Sequence, residues 1–184
     1  MVYQASYEAG RLVLRGARVT LREHTPEDAA AVADGESAGL EWIDGRPGED
    51  SVGAATMTVR AMIAGHLGSP WGIFAVLRSS DGTALGSIGF HGPPSAPDGE
   101  VEIGYDLSPS ARGAGWATDA VRVLVAWALA RPEVHTVIAT TDPANAPSQG
   151  VLTRAGFTRA PARGDLYAYR RDAAPVADPS STDA

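Results

Sequence analysis

Apolar and polar residues alternate in short runs over much of the first half of the chain, and this pattern predicts β-strands. Two runs lie on either side of Gly16, and in the second of them Val19 and Leu21 alternate with polar neighbours. Residues 71–78 and 84–91 form two further strand-like runs, joined by a segment that contains Asp81-Gly82. Asp-Gly between apolar runs is a strong hairpin signal, so we expect these two strands to pair antiparallel.

Helical periodicity marks other segments. Thr25-Pro26 has the form of an N-cap followed by proline at the first helical position, which predicts a short helix over 26–34. The segment SVGAATMTVRAMIAGHLG predicts a second helix. A long helix is predicted for AGWATDAVRVLVAWALAR, because four apolar residues there share one helical face: Val121, Leu124, Val125 and Ala128.

The order of the remaining elements indicates the fold class. EVEIGYDL is a third strand in a meander, followed by the long helix, the strand VHTVIATTD, the short helix NAPSQGVLTRAG and the strand LYAYRR. We therefore expect an α/β protein with a mixed, mostly antiparallel central sheet of about six to seven strands, flanked by about four helices. Residues 1–171 are expected to form one domain, and 172–184 a disordered tail, because this segment has little to bury.

Composition restricts the chemistry. The 184 residues contain no cysteine, so disulfides, thiolate metal sites and cysteine nucleophiles are excluded. The four histidines have no ligand-like spacing, and we expect no metal. A net charge of −7 argues against nucleic acid and is compatible with a cationic substrate. No apolar run is long enough for a membrane span, so a cytoplasmic protein is expected.

A glycine-containing loop precedes the long helix in the stretch SPSARGAGWATDA. Glycines at a helix N-terminus leave backbone N–H groups accessible, and these can surround an anion such as a phosphate, with Arg112 adding charge. A plain tight turn is the alternative interpretation. The loop is neither a Walker motif nor a GxGxxG fingerprint, so a ligand carrying a diphosphate is the natural candidate.

Three stretches together resemble the GNAT superfamily of N-acetyltransferases. Arg112, Gly115 and Ala117 match the family's Arg/Gln-x-x-Gly-x-Gly/Ala motif, and NAPSQGVLTRAGF is similar to its Asn-x-x-Ser/Ala…Gly-Phe element. The opening LRGARVTLREHTPEDA is similar to the RimJ/RimL-like branch, which acetylates the N-termini of ribosomal proteins. The resemblance spans residues 11–171 in the right order.

The resemblance implies the GNAT fold and acetyl-CoA as cosubstrate. The loop N–H groups should bind the coenzyme A diphosphate, and the strand EIGYDL should hold the pantetheine arm beside a splayed neighbouring strand. An N–H near residues 105–107 should support the oxyanion, and Asn145 should bond the pantetheine amides. The implied cofactor-binding residues are Tyr105, Asp106, Leu107, Arg112, Gly113, Ala114, Gly115, Trp116, Ala117, Thr118, Asn145 and Ser148.

Candidate catalytic residues follow from what acetyl transfer to an amine requires. Leu152 occupies the position where many family members have a tyrosine acid, which departs from the common pattern. The resemblance to the RimJ/RimL-like branch, in which a serine at the third position after the asparagine lies near the sulfur, implies Ser148 for the thiol side. Ser148 as a plain helix-start residue is the alternative. Glu102 is the candidate base, since strand alternation places it opposite Val101 and Ile103; a solvated glutamate is equally compatible.

The acceptor side is the least specific part of the sequence. Glu41 and Trp42 lie where the family builds its acceptor wall, although Trp42 could equally be a core residue. His91 is a further candidate near the substrate. The acceptor is expected to be a primary amine, on a protein N-terminus or a small molecule, and homodimerisation stays open. A catalytically inactive acyl-CoA-binding module and an unrelated nucleotide-binding protein are the alternatives.

Overall fold

A computed structural model describes residues 3–174, which contain a nine-stranded sheet and four α-helices. The strands are β1 (Gln4–Glu8), β2 (Arg11–Arg15), β3 (Val19–Glu23), β4 (Ile73–Arg78), β5 (Ala84–Phe90), β6 (Glu100–Leu107), β7 (Thr136–Thr141), β8 (Thr158–Arg163) and β9 (Leu166–Asp172). The helices are α1 (Pro26–Ala33), α2 (Glu49–Ile63), α3 (Trp116–Leu129) and α4 (Ala146–Arg154).

The mixed α/β class and the four helices confirm the expectation, but the predicted count of six to seven strands was too low. Strand β1 was missed because all its side chains are at least partly exposed and show no apolar alternation. Strand β8 was missed because TRAPAR contains Pro161 and no large apolar residue. The strand order in the sheet is β1-β2-β3-β4-β5-β6-β7-β9-β8, so both are edge strands. Each is held by hydrogen bonds to its single neighbour, and an edge strand can accommodate proline.

Every strand pair is antiparallel except β6 with β7, which run parallel. The hairpin predicted at Asp81-Gly82 joins β4 and β5, and its turn is closed by a 2.9 Å hydrogen bond from the Arg78 N–H to the Thr83 carbonyl. The parallel pair requires a crossover, which α3 provides. Strand β6 therefore runs antiparallel to β5 but parallel to β7, and a cleft opens where β6 and β7 stop pairing.

Helices cover both faces of the sheet. Ser51 of α2 contacts Asp106, whereas Ser148 of α4 contacts Tyr105, and adjacent residues of a strand point to opposite faces. Helices α1 and α2 pack together on the first face, and α3 and α4 on the second. The predicted apolar stripe of α3 is confirmed, because its four residues are fully buried in the main core.

The C-terminal boundary is only partly visible. Strand β9 ends at Asp172, whose carboxylate accepts a 2.7 Å hydrogen bond from the Thr136 hydroxyl. Residues 175–184 of the expected tail lie outside the described residues. Among residues 3–174, no helix combines the length and apolar character that crossing a bilayer requires.

Candidate active site

A cleft opens between β6 and β7. The two strands pair only from Glu100 to Glu102, opposite Thr136 to Ile138. Beyond this point β6 continues to Leu107 while β7 pairs only with β9. The strands therefore diverge as the sequence resemblance implied, and no β-bulge is needed in β6 to separate them.

Backbone polar groups of β6 line this cleft. The His91 N–H donates to the Glu102 carbonyl, and the Ser108 N–H donates to the Leu85 carbonyl, so even-numbered β6 residues use their backbone groups toward β5. Antiparallel pairing alternates, so Ile103, Tyr105 and Leu107 direct theirs toward β7. The Ile103 N–H serves the short pairing with β7 and the Leu107 carbonyl accepts from Arg112, so an extended amide-containing chain in the cleft would meet the Tyr105 N–H and carbonyl and the Leu107 N–H.

The loop beyond β6 presents a further set of donors. Gly113 and Gly115 have φ of 81° and 84°, left-handed conformations that favour glycine, and Gly115 is the N-cap of α3 without a side-chain cap. Within residues 3–174, the N–H groups from Gly113 to Thr118 have no protein acceptor. The Thr118 hydroxyl is buried and also unpartnered in this part of the chain. These unsatisfied donors fit a diphosphate.

Arg112 does not point straight into this nest of N–H groups. Its Nε donates to the Leu107 carbonyl at 3.0 Å, and its Nη2 lies 3.8 Å from an Asp50 carboxylate oxygen. The guanidinium is thus held at the end of β6, beside the nest. Trp116 and Ala117 begin α3, as the motif implied.

Ser148 and Tyr105 lie together on the α4 side of the cleft. Their hydroxyl oxygens are 2.8 Å apart, and the Tyr105 hydroxyl also donates to the Ser148 carbonyl at 3.2 Å. Asn145 is the N-cap of α4, where its Oδ1 accepts from the Ser148 N–H at 3.1 Å. Burial raises the pKa of Tyr105, which keeps the phenol protonated at neutral pH.

Sequence reasoning placed Tyr105 in the site only through its backbone and missed its hydroxyl. The usable signal was strand alternation, which places the Tyr105 side chain on the same face of β6 as the buried Val101 and Ile103. Leu152 is fully buried in the core beneath α4 and so has no part in the cleft.

Glu102 lies on the opposite face, where the strands begin to diverge. Its Oε1 accepts a 2.7 Å hydrogen bond from the Thr140 hydroxyl of β7, and the His91 Nδ1 is 3.7 Å from the same atom. A Cβ built on Gly104 would be only 2.7 Å from the His91 Nε2, so the imidazole lies across β6 at the glycine. Glu102 and His91 are therefore brought together, and Thr140 is a partner that sequence reasoning missed.

The expected acceptor wall is only partly supported. Trp42 is 5% exposed, its Nε1 donates to the Ser37 carbonyl, and it packs in the apolar cluster beneath α1 and α2. This corrects its assignment as a substrate-binding residue, because a side chain enclosed in the core cannot contact an acceptor. Glu41 is exposed, and its carbonyl accepts from the Ala84 N–H at the start of β5.

Asp106 contributes a carboxyl group that sequence reasoning did not use. Its Oδ2 accepts a 2.5 Å hydrogen bond from Ser51, which in turn accepts from the buried Ser87 hydroxyl at 3.0 Å. Burial raises the pKa of this carboxyl to about 6, and the Ser51 hydrogen bond opposes the shift. Residues 3–174 contain no group of three or more acidic or histidine side chains arranged to hold a metal.

Comparison with known proteins agrees with this geometry. The model of the acetyltransferase (GNAT) domain matches residues 18–158, which is most of the chain and includes the cleft, the glycine loop and α4. The protein belongs to the GNAT acetyltransferase family. The resemblance of the sequence to GNAT N-acetyltransferases is thereby confirmed.

Individual GNAT proteins match this chain over only part of its length or at low sequence identity. The curated "Uncharacterized N-acetyltransferase YjdG" of Bacillus subtilis is 32% identical over 82 residues, which cover 45% of this chain and 48% of that protein. The match thus spans about half the length of the relative.

Solved GNAT structures share the fold over nearly the whole chain. An acetyltransferase from Agrobacterium tumefaciens has a TM-score of 0.58 at 25% identity, covering 86% of this chain and 93% of its own. RimJ of Mycobacterium smegmatis, solved in complex with CoA-disulfide, has a TM-score of 0.61 at 19% identity, covering 93% and 87%.

Proposed function

We propose that this GNAT protein is an N-acetyltransferase that transfers the acetyl group of acetyl-CoA to a primary amine by direct attack in a ternary complex. The observation that carries the proposal is the cleft between β6 and β7, which leads from Glu102 to the unpartnered N–H groups at the start of α3. Such a path suits a ligand with a pantetheine arm at one end and a diphosphate at the other.

The cofactor would supply the thioester, and the chain would bind and orient it. Backbone N–H groups from Gly113 to Thr118 would hold the diphosphate, since the Arg112 N–H already donates to the Pro109 carbonyl. The Asn145 amide nitrogen would bond the pantetheine, because its oxygen already caps α4. The Tyr105 or Leu107 N–H, directed toward β7, would donate to the carbonyl oxygen as it becomes negative.

Glu102 is the proposed general base. An alkylamine is mostly protonated at neutral pH and must lose a proton before or during attack. Thr140 and His91 both approach Oε1, which leaves Oε2 as the atom to accept the proton, directly or through water. The amine nitrogen then bonds to the acetyl carbon, and the C–S bond breaks.

Ser148 is the proposed proton donor or orienting group for the departing thiolate. Tyr105 has one hydroxyl proton, and when it is donated to the Ser148 Oγ instead of the Ser148 carbonyl, the serine proton is free to point at sulfur. This pair would replace the tyrosine that Leu152 does not provide. The products are an N-acetylated amine and coenzyme A.

The acceptor is proposed to be a protein N-terminus or a small amine. The resemblance of the opening segment to the RimJ/RimL-like branch favours a protein N-terminus. Loops that form acceptor walls vary on one scaffold, so small amines belong in the same screen.

The test combines calorimetry with a thiol-release assay. Coenzyme A, acetyl-CoA and ADP are titrated into the wild type, Gly115→Glu and Gly10→Glu. Gly115→Glu places a side chain and a negative charge in the nest. Gly10→Glu is the matched control, because Gly10 also has a left-handed φ of 78° but lies in the β1–β2 turn.

We expect coenzyme A to bind the wild type and Gly10→Glu, more tightly than ADP, and Gly115→Glu to lose binding. Thiol release is then measured with a panel of N-terminal peptides, polyamines, aminoglycosides and amino acids. Glu102→Gln should bind coenzyme A normally and turn over more slowly. Binding without turnover of any amine would favour the inactive acyl-CoA-binding module, and equal affinity for ADP would favour a nucleotide-binding protein.

A further inference from the structure

Arg18 contacts the glycine loop although it lies far from it in the sequence. Its Nη2 donates to the Ala114 carbonyl at 3.0 Å, and its Nη1 donates to an Asp119 carboxylate oxygen at 2.8 Å. Its guanidinium stacks over the Trp116 ring, 4.1 Å from the centroid. One side chain thus bonds both the last residues of the loop and the first turn of α3.

The bond to Ala114 fixes the orientation of the following N–H group. In a trans peptide the N–H points opposite to the preceding carbonyl, so holding the Ala114 carbonyl toward Arg18 turns the Gly115 N–H away from it. A Cβ built on Gly115 would lie 3.5 Å from the Arg18 Nη1, so the arginine stands directly behind the N-cap. The opposite side of the peptide is left for an anion.

The bond to Asp119 changes the charge at the helix start. A carboxylate in the first turn stabilises a bare helix N-terminus, but it repels a second anion placed there. Arg122 is farther away, with its Nη1 3.9 Å from the other Asp119 oxygen. Arg18 is therefore the nearest cation that offsets Asp119 when a diphosphate occupies the nest.

We propose that Arg18 is the positioning residue of the diphosphate site: it orients the Gly115 N–H and neutralises Asp119 without contacting the ligand. This inference rests on the proposed function, which supplies the diphosphate. The side chain of Arg18 is 49% exposed, and an exposed ion pair adds little to folding stability. Its loss should accordingly appear in ligand affinity rather than in the fold.

Calorimetry with coenzyme A, dephospho-CoA and ADP tests the proposal on the wild type, Arg18→Gln and Arg170→Gln. All three ligands contain the diphosphate, so Arg18→Gln should weaken each by the same factor, about tenfold. Arg170→Gln removes the same charge from an exposed pair with Asp172 on β9 and should change none. Thermal melting of each variant reports whether the fold is retained.

The double variant Arg18→Gln/Asp119→Asn isolates the electrostatic part. Removing the Asp119 charge should restore part of the affinity that Arg18→Gln loses, because no anion then remains to be neutralised. Absence of any recovery would overturn the neutralising role. A loss confined to coenzyme A would also overturn the proposal, since it would mean direct contact with the 3′-phosphate.

Failure of this inference is separable from failure of the proposed function. If the wild type binds coenzyme A and Arg18→Gln binds it equally well, only the role of Arg18 is wrong. If the wild type binds none of the three ligands, the proposed function fails first.

Discussion

At the scale of single residues, the site depends on which face of β6 each side chain occupies. Glu102 and Tyr105 are three residues apart, so their side chains leave the strand on opposite faces. Glu102 meets Thr140 and His91 on one face, and Tyr105 meets Ser148 on the other. The proposed base and the proposed proton donor thus lie on opposite faces, which suits a reaction in which one proton leaves the amine and another reaches the sulfur.

Tyr105→Phe tests whether the Tyr105 hydroxyl orients Ser148. We expect kcat for acetyl transfer to fall by about tenfold, because Ser148 loses its partner. KM for acetyl-CoA should stay unchanged, since phenylalanine keeps the backbone N–H. Steady-state thiol release measures both constants.

Tyr7→Phe is the control for the Tyr105 experiment, because Tyr7 is 67% exposed and lies in the edge strand β1, five strands away from β6 in the order of the sheet. Ser148→Ala alone and combined with Tyr105→Phe should show strong non-additivity if the two hydroxyls act as a unit. A wild-type kcat in Tyr105→Phe would refute the pairing.

At the scale of elements, close contact between β5 and β6 fixes one wall of the cleft. A Cβ built on Gly86 would lie 2.2 Å from the Asp106 carbonyl oxygen and 2.8 Å from the Leu107 Cα, both backbone atoms. Backbone cannot rotate aside as a side chain can. Gly86 thus sets the distance of β5 from the part of β6 that faces β7.

Gly86→Ala should lower the free energy of unfolding by about 1–3 kcal/mol, the usual cost of overpacking a well-packed interior. Urea unfolding measures the change. Gly92→Ala is the matched control, because a Cβ there meets nothing within 4 Å, and its stability should stay near wild type. Equal stability of the two variants would show that β5 can move without cost.

The residue pattern alone was sufficient to predict some of the elements and not others. Helix α3 was predictable because its apolar face is regular, and its residues Val121 and Leu124 are fully buried. Helix α1 was predictable from Thr25, whose side chain accepts from the Asp28 N–H in a capping box. Strands β1 and β8 were not predictable, since pairing with a neighbour stabilises them rather than an apolar pattern of their own.

At the scale of the whole molecule, the buried His24 and the partly buried Asp106 make opposite contributions to the pH dependence of stability. Burial lowers the pKa of His24 to about 4, although its Nδ1 lies 3.9 Å from the Asp28 carboxylate, which opposes the shift; neither ring nitrogen has a hydrogen-bond partner among the described residues. The unfolded chain therefore binds more protons between pH 4 and 6.5, and His24 makes stability rise with pH. Asp106, with its pKa raised to about 6, makes stability fall with pH between about 4 and 6.

We expect these slopes to offset each other in the wild type between pH 4 and 6. Asp106→Asn removes one of them, so the free energy of unfolding should rise with pH across this range, by on the order of 2–3 kcal/mol. His24→Gln should produce the opposite slope. Urea unfolding at pH 4.5 and 6.5 distinguishes the variants, and an Asp106→Asn slope equal to wild type would contradict the assignment.

The amino-acid sequence by itself determined the fold class and the glycine turn before α3, whereas the roles proposed for Glu102 and Ser148 came from its resemblance to the GNAT family. The fold class and the turn depend on local patterns: periodicity, capping residues and glycine where the backbone needs a left-handed conformation. Only the tertiary structure decided that Trp42 is buried, and that Arg18, Thr140 and the Tyr105 hydroxyl reach the site. Those contacts join residues distant in the chain, and strand order and register, which bring them together, follow from packing of the whole molecule.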